Sequence, residues 1–248
     1  MSGTLNGLHI LITRPEHQAQ HLCQLLQDQG ATVLAFPLIN IEPLEDPQRP
    51  AQSQYDIIIF VSNNAVTLGI PLIKPLLKNA RIATVGKGTA RLLEQLEYPA
   101  DIVPGERFDS EGLLSHPQLQ NVTGKSVLIV RGEGGRPLLG DELQKRGANV
   151  EYLAAYRRNL PRPGPDNVLQ HALKELKLDI ILISSGEALD NLLALTSETL
   201  MDTLLDTQLA VTHPRQAEKA IKLGFTKPAI ISDEPGDEAV LQALIKNR

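Results

Sequence analysis

Six places along the chain put hydroxyl, amide or guanidinium groups where an apolar run gives way to helix-forming residues. They are Thr13-Arg14, Ser62-Asn63, the Thr84–Thr89 turn with Gly86 at its centre, Arg131 with Gly132 and Arg136, Ser184-Ser185, and Thr212-His213. In a parallel sheet such turns lie at the carboxyl ends of the strands and line the binding crevice. Free helix-start amides and a few arginines suit an anion, above all one rich in carboxylates. Serine and threonine at these positions are also ordinary helix caps. Arg14 and Arg131, at matching positions of an internal repeat, weigh more as a pair. Other chemistries find little support. The six histidines are dispersed, and His17 and His21, though four apart, lack both the HExxH context and an acidic third ligand, so no metal is expected. Neither Ser62 nor Ser184 sits in GxSxG, there is no GxGxxG, and GEGGRP at Gly132–Pro137 lacks the GK[ST] of a phosphate loop.

The elements that must position these groups repeat. Tyr55–Val66, YDIIIFVSNNAV, is echoed by Leu178–Leu189, LDIILISSGEAL, with Asp56 over Asp179 and Ser62 over Ser185 at a common offset of 123. Leu11–Val33 matches Leu128–Val150, with Arg14 over Arg131 and Gly30 over Gly147, and IATVGKGTARLLEQL resembles LAVTHPRQAEKAIKL. Short β-branched runs alternating with helical periodicity predict two similar parallel-sheet α/β lobes, with function in a cleft between them. Pro15 suits the first turn of a helix. Asn63–Gly69 and Pro71–Asn79 read as two helical segments, Ile102-Val103 as a short strand, Val150–Ala155 as another, and Ser184 with Glu187 as a capping box. Two proline-rich stretches, Glu42–Gln54 and Pro161–Pro165, read as linkers and could be paired crossings of one hinge, with the middle of the chain in one lobe and both ends in the other.

The totals narrow the classes. At 248 residues two small domains fit. A net charge of −5 and 3% aromatics, with no tryptophan, argue against a nucleic-acid partner. The single cysteine, Cys23, excludes an intrachain disulfide and reads as a buried small hydrophobe among Leu22, Leu25 and Leu26. No stretch reaches membrane-spanning length and the N-terminus lacks a signal-like pattern, so the cytoplasm and no membrane partner are expected.

Taken together, ITRP, YDIIIFVSNNAV, ATVGKGTA, LIVRGEGGR with LQKRGANV, the Tyr156-Arg157 pair and AVTHPRQAEKAIKLGF resemble the uroporphyrinogen-III synthase family along essentially the whole chain. The resemblance implies two α/β lobes joined by a two-stranded hinge, the first lobe discontinuous. Expected boundaries are 1–38 and 162–248 for lobe 1 and 42–158 for lobe 2, with crossings at 39–41 and 159–161. It implies cofactor-free closure of linear hydroxymethylbilane with loss of water and inversion of ring D, by a monomer, with hand-over from the preceding pathway enzyme as a candidate contact. Tyr156 maps onto the family tyrosine and becomes the catalytic proton donor, aimed into the cleft or else a half-buried hinge residue. The substrate-binding set is Thr13, Arg14, Ser62, Asn63, Gly86, Thr89, Arg131, Gly132, Arg136, Ser184, Ser185 and Thr212. His213 stands where the family more often has glycine. The alternative is a non-catalytic two-lobed small-anion binding or regulatory module, which the duplicated lobes would serve equally well.

Overall fold

A computed structural model describes residues 3–162, 167–234 and 236–248. The chain divides into a unit formed by residues 1–40 and 159–248 and a second formed by 41–158, so the first is discontinuous. It begins with β1 (His9–Ile12), α1 (Glu16–Asp28) and β2 (Thr32–Ala35). The second unit carries β3 (Asn40–Pro43), β4 (Ile57–Phe60), α2 (Asn63–Ile73), β5 (Arg81–Thr84), α3 (Lys87–Gln95), α4 (Ser110–Ser115), β6 (Ser126–Gly132), α5 (Leu138–Lys145) and β7 (Asn149–Asn159). The chain then completes the first with α6 (Val168–Glu175), β8 (Ile180–Ile183), α7 (Gly186–Leu195), α8 (Met201–Leu205), β9 (Gln208–Val211), α9 (Pro214–Lys222), β10 (Ile230–Ile231) and α10 (Asp237–Lys246).

The first sheet has the order β10-β9-β8-β1-β2, all parallel; the second has β3-β7-β6-β4-β5, with β7, β6, β4 and β5 parallel. A single bridge from Ala83 sets Ile102 beyond β5, where a short strand over Ile102-Val103 was expected. Strand for strand, β2-β1-β8-β9-β10 therefore corresponds to β7-β6-β4-β5-Ile102. This is the pairing that the sequence repeats demand. The spatial order is common to both units and the starting point along the chain differs.

Both sheets are covered on two faces, which is why their strands read as unbroken apolar runs. Successive residues point to opposite sides. Leu11, Ile181, Ile183, Leu209 and Val211 join one core with Leu169, Leu189 and Leu192, while Ile10, Ile12, Ile180 and Leu182 join another with Leu22, Leu26, Val240 and Leu244. In the second unit Ile58, Phe60, Leu128 and Val130 meet Val66, Ile70 and Leu93, and Ile57, Ile59, Val127 and Ile129 meet Leu113, Leu139 and Leu143.

At the amino ends one carboxylate aligns each central strand pair. Asp56 Oδ2 accepts from the Ser126 amide at 2.8 Å while the Asp56 amide donates to Ser126 O at 2.9 Å. Asp179 does the same with His9, at 2.8 and 3.0 Å. Gly30 and Gly147, aligned in the internal repeat, close α1 and α5 in the left-handed conformation at φ +86° and +83°.

Several local expectations change. Residues 63–73 form one helix with Pro71 inside it, followed by a 3-10 turn at Lys74–Lys78. Pro71 sits in the last turn of α2, late enough that one lost amide bond ends the helix instead of splitting it. Pro15 stands just ahead of α1 and not within its first turn. Cys23 is half-buried beside the Leu22 core, and burial raises its thiol pKa. The first proline-rich stretch lies within the second unit, since the chain passes between units at 40–41 and 158–159. Of the second stretch, Pro163–Pro165 lie outside the described residues.

Helix α2 packs on β6 through Gly69, where an added Cβ would lie 2.4 Å from Val130 Cγ1. Gly69→Ala gains at most about 1 kcal/mol of helix propensity but overpacks a full core at a cost of about 1–3 kcal/mol. Chemical denaturation is expected to show a net loss, partly recovered by adding Val130→Ala; a neutral or stabilised Gly69→Ala would refute the packing argument.

Candidate functional site

In the first unit Thr13, Arg14, Ser184, Ser185 and Thr212 gather at the carboxyl ends of β1, β8 and β9, which are neighbours in the sheet. The sequence repeat had marked the serine after β8, and the structure settles which one caps. Ser185 Oγ accepts from the Ala188 amide at 3.0 Å and starts α7, as Ser62 Oγ accepts from the Ala65 amide at 3.1 Å and starts α2. The capping-box assignment to Ser184 is corrected by one residue, because α7 begins at Gly186 and Ser185 stands at its cap. Thr13 is buried, and its hydroxyl donates to Leu182 O at 2.6 Å, linking β1 and β8. These two strands flank the point where the order reverses, the usual crevice of an open parallel sheet.

Thr212 donates its amide to Gln216 Oε1 at 2.9 Å, and Lys219 reaches from α9 to Gly186 O at 2.8 Å and to Asp190 at 2.5 Å. His213 caps α9 with φ −158°, an extended backbone open to any residue, so no glycine is required there.

Arg14 is not a free cation. Its Nη1 lies 2.5 Å from Asp237 Oδ1, with the side chains only 14% and 18% exposed, and His21 Nδ1 meets the other oxygen of the same carboxylate at 2.9 Å. Asp237 lies 223 residues away in the first turn of α10 and gave no sequence signal beyond its place at a helix start.

In the second unit Ser62 and Asn63 follow β4, Gly86 and Thr89 follow β5, and Arg131, Gly132 and Arg136 lie at the end of β6. Thr89 Oγ1 donates to Asn63 Oδ1 at 2.9 Å, tying the starts of α2 and α3 together. Gly86 starts α3, and an added Cβ there would meet nothing within 4 Å. Arg131 donates to the carbonyls of Gly132, Gly135 and Arg136 at 3.4, 2.5 and 3.3 Å and lies over the Tyr152 ring. It makes no salt bridge to a carboxylate among the described residues, unlike Arg14, so its charge stays available to an anion. Arg136 itself is exposed.

Tyr156 differs most from expectation. β7 runs on to Asn159, so the residue lies inside the strand and is fully buried, neither half-buried at a hinge nor open to solvent. The β6–β7 register shifts at Gly132, so that Ala154 pairs with Arg131 but Tyr156 with Gly132. That bulge puts the consecutive residues Ala155 and Tyr156 into one core. The ring fills the space left by Gly132, whose Cβ would lie 2.6 Å from it. The phenol ends 3.0 Å from Ser62 Oγ.

Among the described residues, no group of His, Cys, Asp and Glu is placed to hold a metal ion, and no helix is long and apolar enough to cross a membrane. The family model described as uroporphyrinogen-III synthase HemD matches residues 20–242. The chain belongs to the uroporphyrinogen-III synthase family. It is 31% identical to uroporphyrinogen-III synthase of Escherichia coli over 96% of this chain and all of that one, and 30% identical to the Salmonella typhimurium protein of the same name, again over 96% and 100%. The solved uroporphyrinogen-III synthetase of Helicobacter pylori shares the fold with TM-score 0.68, covering 97% of this chain and 100% of that one at 18% identity. Family membership makes the chain a lyase of porphyrin biosynthesis acting on hydroxymethylbilane, and the reading as a non-catalytic module falls.

Asp237→Ala is expected to destabilise the first unit by about 1–2 kcal/mol, since it strands a largely buried guanidinium. Adding Arg14→Ala should relieve part of that loss. Strictly additive losses in denaturant titrations would show that the pair is uncoupled.

Proposed function

We propose that the chain closes hydroxymethylbilane to uroporphyrinogen III with inversion of ring D and without a cofactor. What carries this reading is the family match over residues 20–242, joined by the two sets of strand-end groups suited to carboxylates. As a proton reaches the hydroxymethyl oxygen, the pyrrole nitrogen expels it as water and leaves an azafulvenium. The substituted carbon of ring D attacks it to give a spiro intermediate, which fragments and closes again with the ring reversed. No step needs a strong base. The enzyme's task is to hold a flexible polycarboxylate in one folded pose and to supply a proton to the departing oxygen.

The amides at the starts of α2, α3 and α7, beside Ser62, Gly86 and Ser185, meet substrate carboxylates, with Arg131 as the main cation. Arg14, already neutralised by Asp237, contributes less. Tyr156 is the origin of that proton, its phenol being a hydrogen-bond donor that ends 3.0 Å from Ser62 Oγ. The enzyme works as a monomer in the cytoplasm, and the preceding pathway enzyme hands it an unstable substrate.

Enzymatically generated hydroxymethylbilane, incubated with the protein, oxidised and separated by isomer, tests the reading. The type III product should dominate; only the spontaneous type I isomer would overturn it. In the same assay Arg131→Ala should raise KM about tenfold, the loss of one charge-assisted contact of roughly 1.4 kcal/mol. Arg14→Ala should raise it less. Equal effects of the two would remove the distinction drawn from Asp237.

A further inference from the structure

We propose that Ser62, and not Tyr156, is the group that touches the departing hydroxyl, with Tyr156 behind it as the buried end of a two-oxygen proton relay. The inference rests on the functional reading above and assigns the route of its proton. Tyr156 is fully buried, packed by Gly132 and sharing a core with Phe60, Val130 and Leu153, so its phenol cannot reach a substrate at the strand ends. Its hydroxyl lies 3.0 Å from Ser62 Oγ. Ser62 is half-buried, at the carboxyl end of β4.

The hydrogen-bond inventory of Ser62 gives the relay its direction. A serine hydroxyl has two acceptor sites and one proton. The Ala65 amide, an obligatory donor, uses one acceptor site at 3.1 Å. When Tyr156 donates to the other, both lone pairs of Ser62 are engaged within the protein and its own proton is directed outward. Two donors on one oxygen also polarise its O–H bond and strengthen it as an acid. The bulge in β7 is what aims the phenol at Ser62; in a regular strand Tyr156 would share a face with Tyr152 and Ala154.

The step balances. As the carbon–oxygen bond breaks, the pyrrole nitrogen's electron pair replaces it at the carbon, and the bond's electrons leave with the oxygen. Ser62 gives its proton to that oxygen and takes one from Tyr156, so water departs and leaves an azafulvenium and a phenolate. The proton released when ring closure restores the aromatic pyrrole returns through Ser62 to Tyr156.

The test is a double-mutant cycle in the type III assay, with kcat and KM measured beside thermal unfolding. Ser62→Gly removes the hydroxyl but keeps an acceptable helix cap. Ser62→Gly and Tyr156→Phe should each lower kcat about tenfold to a hundredfold with KM within about threefold of wild type. The double variant should be no more than about threefold slower than the worse single, because either change breaks the same relay. Ser62→Thr, which keeps a hydroxyl, should recover most of the turnover. Three outcomes would overturn the relay while type III synthesis by the wild type upholds the function: multiplicative losses, an unaffected kcat in either single variant, or losses that track the folded fraction and resist Ser62→Thr. A wild type yielding only the type I isomer would overturn the function and the relay with it.

Discussion

A parallel strand registered one residue out turns every side chain to the wrong face, and both sheets here guard against this at the pair where the strand order reverses. In each, an aspartate opening one central strand binds the amide of the first residue of the next. Asp56 grips Ser126 and Asp179 grips His9, each with the reciprocal backbone bond beside it. With the amino end of the pair set, the carboxyl ends are set too. Phe60 and Leu182 then present carbonyls where Thr84 and Thr13 donate their hydroxyls, and Ser62 and Ser185 stand where the next helices need caps. The chemistry at one edge of each sheet is thus held in line by a carboxylate at the other.

The two units use equivalent frames to different ends. In the first, the arginine after β1 is turned onto α10 and neutralised by Asp237, which also meets His21. In the second, the arginine closing β6 is cradled by three carbonyls and an aromatic face. Carbonyl oxygens orient a guanidinium while leaving its formal charge uncompensated, whereas a carboxylate cancels it. Duplication supplied matching positions, and later neighbours set how much charge each one offers.

What the sequence made legible was local or repeated. Buried strands, left-handed glycine stops, the serine cap of α2 and the discontinuous unit all have signals within a few residues or in the internal echo. The cap of α7 was missed by one residue because Ser184 and Ser185 are chemically alike, although the offset of Ser62 already pointed to the second. The Arg14–Asp237 pair was illegible because its members are 223 residues apart and nothing near either announces the other. Tyr156 was misplaced for a subtler reason. The strand was expected to end at Ala155, but β7 runs on to Asn159, and one extra residue opposite Gly132 turns the ring into the core.

The shared strand order, entered at different points along the chain, bears on how the protein is made. In the second sheet every strand lies between residues 40 and 159, so that sheet is complete once this stretch has left the ribosome. The first unit begins earlier and finishes later. β1 ends at Ile12, but its central partner β8 begins only at Ile180. At ordinary elongation speeds that interval is roughly ten to thirty seconds. Throughout it β1, whose Ile10, Leu11 and Ile12 are fully buried in the finished sheet, lacks its β8 neighbour, while the second unit can already close. The discontinuous unit is therefore the last of the two to be completed, and this delay is its period of greatest exposure to aggregation and to chaperones.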